Sequence, residues 1–296
     1  MLEAAWRGEL KAPMFGEDLV QTEPDSSRTR VALQALEFLV VQEIFRSQTA
    51  ELAHVVLPGA SCLEKDGTFT NAERRIQRVR RVLSPPGGAR EDWRILNGLM
   101  AVTGYPQIHD GTGEVMAEIA RVVPAFAGVS HARLEGDGLQ WPVTSAVPAG
   151  TSTLHVGTFP RGRAQLTLVE YVPSPGARAG LMLITGRVLE HYNAGTMTRR
   201  TGNVQLCSGD WLEIHPIDAA ARAITDGAPV VVKGPHGEAF AHARLTECVA
   251  PGVVFLSFHF PETHANAATG DVRDRLADCP EYKLTSVDVS RRGGTA

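Results

Sequence analysis

The chain has no surplus of basic charge. Its 29 Lys and Arg are outnumbered by 33 Asp and Glu, for a formal net charge of −4, which argues against a dedicated nucleic-acid binder. Cysteine is scarce. Cys62, Cys207, Cys248 and Cys279 stand far apart with no C-x-x-C pair, so neither a disulfide framework nor a zinc or iron–sulfur ligand set is expected. No apolar run reaches membrane-spanning length. The longest, such as Phe38–Val41 and Gly252–Phe258, are the size of strands. The first residues, from Met1 to Trp6, lack the cationic and apolar stretches of a secretory signal. These absences lead to the expectation of a soluble, cytoplasmic protein. G-x-S-x-G, Walker and G-x-G-x-x-G words are also missing, leaving hydrolase, nucleotidase and ordinary NAD-binding readings unsupported.

What is there is an ordinary globular composition of 296 residues, 43% hydrophobic and 21% charged, with 29 Gly and 18 Pro. Such a chain is long enough for about two domains and a sizeable core. A short helix is expected in residues 1–11. Asp25-Ser26-Ser27 offers cap oxygens for a helix that precedes the apolar strand Phe38–Val41. Val55–Pro58 reads as a second strand, giving an α/β rhythm with a parallel sheet covered on both faces. Ligands of such sheets bind beyond the carboxyl ends of the strands, which makes Gln42–Thr49 a candidate edge. Five arginines lie between Arg74 and Arg81. They read either as a solvated charged face or as phosphate ligands. Pro85-Pro-Gly-Gly88 stops that segment, and helices follow from Asp92 toward Gly104 and from Gly113 to Val122. Short strands are expected near Leu154–Phe159 and Gln165–Val172.

From Leu181 onward the text turns to β. Leu181–Ile184, Trp211–Ile214, the hairpin Pro229–Lys233 with Glu238–Leu245, Val253–Ser257 and Leu284–Val289 are short strands. A small helix is expected at Pro216–Arg222. Together they suggest a closed barrel. Thr185-Gly186-Arg187 directly follows a buried strand, where a glycine permits close backbone approach. Thr196, Thr198, Arg199 and Arg200 then supply hydroxyls and guanidinium forks for an anionic, phosphate-bearing ligand. A solvated basic loop is the competing reading. His259, Glu262 and His264 could suggest a metal, but Pro261 breaks the helix that would align them, so no metal ligand is expected.

Several words acquire meaning together. Ser47-Gln-Thr-Ala50, Ala53–Pro58, Glu64–Asn71 and Glu73–Gln77 resemble formate dehydrogenase alpha subunits, members of the molybdopterin oxidoreductases. Thr185–Val188, His191-Tyr192, Thr196–Arg200, Pro251–Phe255, Asn266 and Pro280–Lys283 extend the resemblance over nearly the whole chain. Close relatives in this family include the periplasmic nitrate reductases. The resemblance implies a partial Rossmann-like parallel-sheet domain at 1–140, a linker with short strands at 141–180, and a six-stranded double-psi β-barrel for the dinucleotide at 181–292. It implies a bis-molybdopterin-guanine-dinucleotide cofactor (bis-MGD) carrying molybdenum or tungsten. Gly186, Arg187, His191, Thr196, Thr198, Asn266, Tyr282 and Lys283 would line the pterin and diphosphate sites. Gln42 and Thr49 would sit beside a cofactor arm, with Gly67 and Asn71 in a loop near the pterin. The pterins and metal carry the redox step, and the protein positions them.

The departures are as informative. Family members are more than twice this long, and the portion bearing the [4Fe–4S] cysteines and the metal's own ligand has no counterpart here. Pro13 also shortens the strand before Gly16-Glu17, where a proline would weaken a central sheet position. No catalytic residue is therefore assigned. The expectation is a C-terminal, truncated or separately encoded portion of a formate dehydrogenase alpha subunit, inactive without the missing portion or other subunits as partners. The alternative is a stand-alone dinucleotide-binding or structural subunit of another molybdenum oxidoreductase, such as a nitrate reductase.

Overall fold

The computed structural model describes residues 1–105, 109–159, 161–168, 170–171, 180–274 and 277–293. Two compact units divide the chain: residues 1–56 with 171–296, and residues 57–170. Each is described on its own.

In the first unit, α1 (Leu2–Trp6) leads to β1 (Met14–Phe15), α2 (Leu19–Thr22), α3 (Ser26–Gln34) and β2 (Val40–Glu43). The expected cap forms, with the Asp25 carboxylate accepting the Arg28 N–H at 3.1 Å, satisfying one of the helix's open donors. β1 and β2 pair in parallel, and β3 (Val55–Pro58) completes the order β1-β2-β3. Pro13 lies just before β1, which is an edge strand of this sheet. There its missing N–H costs no ladder bond, while its carbonyl accepts from Val40 N–H at 3.1 Å. Phe15, Leu33, Leu39 and Val41 bury a small core under the helices.

The second unit holds β4 (Gly67–Thr70), β5 (Arg75–Val79), α4 (Asp92–Val102), α5 (Thr112–Val122) and β6 (Leu139–Gln140). Its sheet is antiparallel, in the order β4-β5-β6. Ile76, Met116, Val129, Leu134 and Val143 form its core. The helices stand where the sequence places them, whereas the hairpin β4–β5 lies in a segment whose alternation is too irregular to read as strands. The strands expected at Leu154–Phe159 and at 165–168 do not form; these residues are bends and irregular chain. Val169 and Val172 of that second expected strand lie outside the described residues. No apolar core waits for these stretches, since Leu166 and Leu168 are fully exposed, so propensity alone does not make a sheet.

The remainder of the first unit is the barrel. It comprises β7 (Leu181–Gly186), β8 (Trp211–Ile214), α6 (Pro216–Ala220), β9 (Pro229–Lys233), β10 (Glu238–Leu245), β11 (Val253–Ser257) and β12 (Thr285–Arg291). Six strands close in the order β10-β8-β11-β7-β12-β9. Two pairs, β7/β11 and β8/β10, are parallel, and the others antiparallel. Alternate residues point inward, as in Ala239, Ala241 and Ala243 or Val230 and Val232. Leu183, Leu212, Ile214, Val254 and Leu256 fill the centre, each worth about 1.5–3 kcal/mol when fully buried. The α/β sheet followed by a closed six-stranded barrel is the expected fold class. No helix among the described residues is long and apolar enough to cross a membrane.

Candidate cofactor site

Parallel pairing of β7 and β11 sets Gly186 opposite Ser257. Their carboxyl ends therefore open at the same end of the barrel, and the loops 187–200 and 258–269 emerge beside each other. A Cβ on Gly186 would lie 2.5 Å from the Phe255 ring, so glycine is required there by packing.

The buried His259 ring ties these loops together. Its Nε2 accepts the Val188 N–H at 3.0 Å, and its Nδ1 donates to the Asn193 carbonyl at 2.5 Å. That pattern needs a neutral ring. Burial, followed by the nearby His191 and Arg187, holds its pKa below the usual histidine value. His191 is buried too: Nε2 donates to the Cys207 carbonyl at 2.8 Å, and Nδ1 accepts from the Thr198 hydroxyl at 3.0 Å.

The loop's cations differ in their partners. Arg199 pairs with Glu262 at 2.5 Å. Arg187 bonds the neutral Asn193 Oδ1 at 2.6 Å and lies over the Tyr192 and Phe258 rings. Arg200 lies over Phe45, just past the end of β2, and donates to the Thr196 carbonyl. Among the described residues, neither Arg187 nor Arg200 has a salt-bridge partner. This brings the basic loop to the β2 end that carries Gln42.

A second set of contacts fastens α2 to the barrel. The Gln21 amide donates to the carbonyls of Ala194 at 2.7 Å and His259 at 3.1 Å. Asn266 Nδ2 donates to the Gln21 carbonyl at 2.7 Å, and the Tyr282 hydroxyl donates to the Thr22 carbonyl at 2.9 Å. Burial pushes the Tyr282 phenol well above its usual pKa, which keeps it a donor. Lys283 Nζ reaches the Thr185 carbonyl at 3.2 Å. Thr49 is fully buried, donating to Asp18 Oδ1 at 2.9 Å and accepting from Val20 N–H at 3.0 Å.

The sequence-derived residues thus sort by surroundings. Gly186, Arg187, His191, Thr196, Thr198, Asn266, Tyr282 and Lys283 converge on one end of the barrel. His191, Thr198, Asn266, Tyr282 and Thr49 direct polar groups into the protein itself. Gly67 and Asn71 belong to the second unit, where Asn71 Oδ1 accepts from Glu73 and Arg75 N–H and shapes the β4–β5 turn. The nearby arginines are engaged as well: Arg75 with Glu73, Arg80 with Glu135, Arg78 with His131, and Arg74 with the Trp141 carbonyl. Gln21, Asp18 and His259 are the structural residues sequence reasoning did not assign. Gln21 and Asp18 follow Gly16-Glu17, the only local signal for them. Among the described residues no group of three or more His, Cys, Asp or Glu could hold a metal ion.

The donors left facing outward are Arg187, Arg200 and Thr196, with the exposed Tyr192 ring beside them. Two guanidinium groups with no carboxylate at ion-pair distance among the described residues, Arg200 feeling Glu43 only at longer range, and a hydroxyl suit a diphosphate, which accepts from every side. Asn266 Oδ1 is buried without a hydrogen bond, an acceptor suited to a ring N–H or amino group. The donor set fits a dinucleotide.

Comparison with known proteins agrees with this chemistry. Residues 1–102 match the molybdopterin oxidoreductase family, and residues 181–286 match the molydopterin dinucleotide binding domain. The chain belongs to the molybdopterin oxidoreductase family by these two matches. It is 41% identical over 286 residues to the F420-dependent formate dehydrogenase subunit alpha of Methanocaldococcus jannaschii, covering 94% of this chain and 42% of the relative. It is 39% identical to the F420-dependent formate dehydrogenase 1 subunit alpha of Methanococcus maripaludis over 94% of this chain and 42% of the relative. An oxidoreductase of Bacillus subtilis is 36% identical, covering 98% of this chain and 30% of its own length. The chain therefore spans less than half the length of these relatives. Acetylene hydratase from Pelobacter acetylenicus shares the fold, with a TM-score of 0.73 at 16% identity over 98% of this chain and 46% of the hydratase.

Proposed function

We propose that this chain supplies the cofactor-holding part of a formate dehydrogenase alpha subunit, which oxidises formate to carbon dioxide with release of two electrons and a proton. The observation that carries the reading is the pair Arg187 and Arg200, held at the barrel end by a neutral amide, aromatic rings and a carbonyl, with no carboxylate at ion-pair distance among the described residues. In the proposed holoenzyme the cofactor is bis-MGD with molybdenum or tungsten, and it supplies the two-electron chemistry.

The chain's own residues bind and orient. Arg187, Arg200 and Thr196 neutralise and hydrogen-bond the diphosphate, and Tyr192 covers it from one side. His191, Thr198, Asn266, Tyr282 and Lys283 shape that surface from beneath, while Gln42 sits at the sheet edge beside a cofactor arm and the fully buried Thr49 braces the adjoining loop from inside. Residues 1–140 act as the α/β part, 141–180 as a linker, and 181–292 as the dinucleotide-binding barrel. The metal's own ligand and the [4Fe–4S] cysteines are to be sought in polypeptide outside this chain, which acts as a partner, and the assembly works in the cytoplasm.

The test is purification of the native assembly containing this chain. It should reduce an artificial dye with formate, contain molybdenum or tungsten, and release GMP on acid hydrolysis. An assembly that carries the cofactor but ignores formate would refute the substrate, and one without pterin or GMP would refute the whole reading.

A further inference from the structure

Asp210 stands just before β8. Its Oδ1 accepts the Trp211 N–H at 3.0 Å and the Ser257 N–H at 3.2 Å. The second bond joins the start of β8 to the carboxyl end of β11. Two residues beyond Ser257 is His259, whose ring accepts the Val188 N–H and donates to the Asn193 carbonyl. Three residues before Asp210, the Cys207 carbonyl accepts from His191 Nε2 at 2.8 Å. Asp210 thus lies where the loops 187–200, 201–210 and 258–269 are fastened to one another.

Half of its carboxyl group is unsatisfied. Asp210 Oδ2 and Ser257 Oγ are both buried without a hydrogen bond, although the hydroxyls of the buried Ser257 and Thr263 adjoin the carboxyl group. A bare carboxylate oxygen sealed from water is costly as an anion. A proton on Oδ2 removes the charge and makes that oxygen a donor for either hydroxyl, while Oδ1 keeps both N–H bonds. Burial raises the Asp210 pKa to about 7, in the same sense.

Neighbouring charges do not offset this. The Cys207 thiol on the same loop has its pKa raised by burial and by Glu190 and Asp210, so it stays uncharged at neutral pH. Arg244 of β10 faces Glu213 at 3.9 Å and lies over the Trp211 ring. Glu262, beside Thr263, is paired with Arg199. His259 is neutral. Among the described residues no cation forms an ion pair with Asp210.

We propose that Asp210 is a positioning residue for the dinucleotide-binding surface. As an uncharged acid it clamps the carboxyl end of β11 to the start of β8, and through His259 it sets the course of the loop that carries Arg187. Ionisation leaves an unpaired charge at that junction and loosens the clamp. The inference rests on the dinucleotide reading and adds a pH dependence to it. With half-ionisation at about pH 7, roughly nine-tenths of the chains hold the acid form at about pH 6 and roughly one-tenth at about pH 8. Apparent affinity scales with the competent fraction, so it falls by about tenfold between the two.

The test measures GDP binding to the full chain by calorimetry at about pH 6 and pH 8, in wild type and in Asp210→Asn. The carboxamide keeps the acceptor and offers N–H donors to the hydroxyls without titrating. Dividing the wild-type affinity by that of the variant cancels the titration of GDP itself. This ratio should fall by about tenfold from pH 6 to pH 8. Asp210→Ala removes the clamp. It should weaken GDP by about tenfold or more at both pH values and lower the hydrogen-exchange protection of the Val188 amide. A ratio that does not change with pH overturns the proposal, as does unchanged Val188 protection in Asp210→Ala. GDP binding with a flat ratio refutes only the role of Asp210, whereas no binding by either protein at either pH refutes the dinucleotide reading and this inference with it. Should Asp210→Ala fail to fold, the ratio of wild type to Asp210→Asn decides.

Discussion

The Gln21 side-chain amide donates to the Ala194 carbonyl at 2.7 Å across 173 residues of sequence. With its second bond to the His259 carbonyl, it fastens α2 to both loops at the open end of the barrel. Gln21→Ala leaves these buried carbonyls without a donor, a loss of about 1–3 kcal/mol. Urea unfolding should show a lower midpoint with an unchanged slope.

His259 gives the loop a pH dependence. Its folded pKa is depressed, so the unfolded chain takes up a proton first on acidification. Its contribution is complete above the unfolded value of about 6.5 and is lost as the pH falls toward the folded value. His259→Gln keeps a donor and an acceptor without a titrating ring. The wild type should lose more stability than this variant between about pH 6.5 and pH 5, measured as melting temperature against pH.

Asp210 runs in the opposite direction. Burial raises its pKa from 3.8 to about 7, and its Oδ2 is buried without a hydrogen bond. Its Oδ1 meanwhile accepts from Trp211 and Ser257 N–H. The stabilising contribution of this neutral acid is full below about pH 4 and is lost as the pH rises to about 7. Asp210→Asn imitates the neutral form. It should gain on the wild type across that interval by at most about 4 kcal/mol, read from unfolding curves at several pH values.

Gly186→Ala should destabilise the barrel by about 1–3 kcal/mol, because the new methyl enters the Phe255 ring. Gly186→Ala combined with Phe255→Leu should recover part of that loss. Equal destabilisation in both backgrounds would place the defect elsewhere.

How much of this could be read in advance depended on whether local pattern and tertiary demand coincided. Val230 and Val232, or Ala239 through Ala243, alternate because one face lies inside a closed barrel, and period-two patterning betrays that directly. The β4–β5 hairpin carries Arg75, Gln77 and Arg78 on a sheet with little core, so its pattern is nearly silent. Leu154–Phe159 has apolar letters but nothing to pair with. At the site, motif words located the loop with Arg187 and Arg200. They could not distinguish His191 and Asn266, whose bonds turn inward, from Arg187, whose cation has no acid. That distinction rests on Cys207, Gln21 and Thr22, which are distant in sequence.

The central claim is that the barrel-end loop holds a dinucleotide through its diphosphate, and GDP binding to the purified chain tests it most directly. Calorimetry should detect saturable GDP binding, weaker guanosine binding, and a loss of about tenfold or more in Arg187→Ala. Circular dichroism should confirm that this variant is folded. Absence of GDP binding, or binding that Arg187→Ala leaves unchanged, would contradict the account.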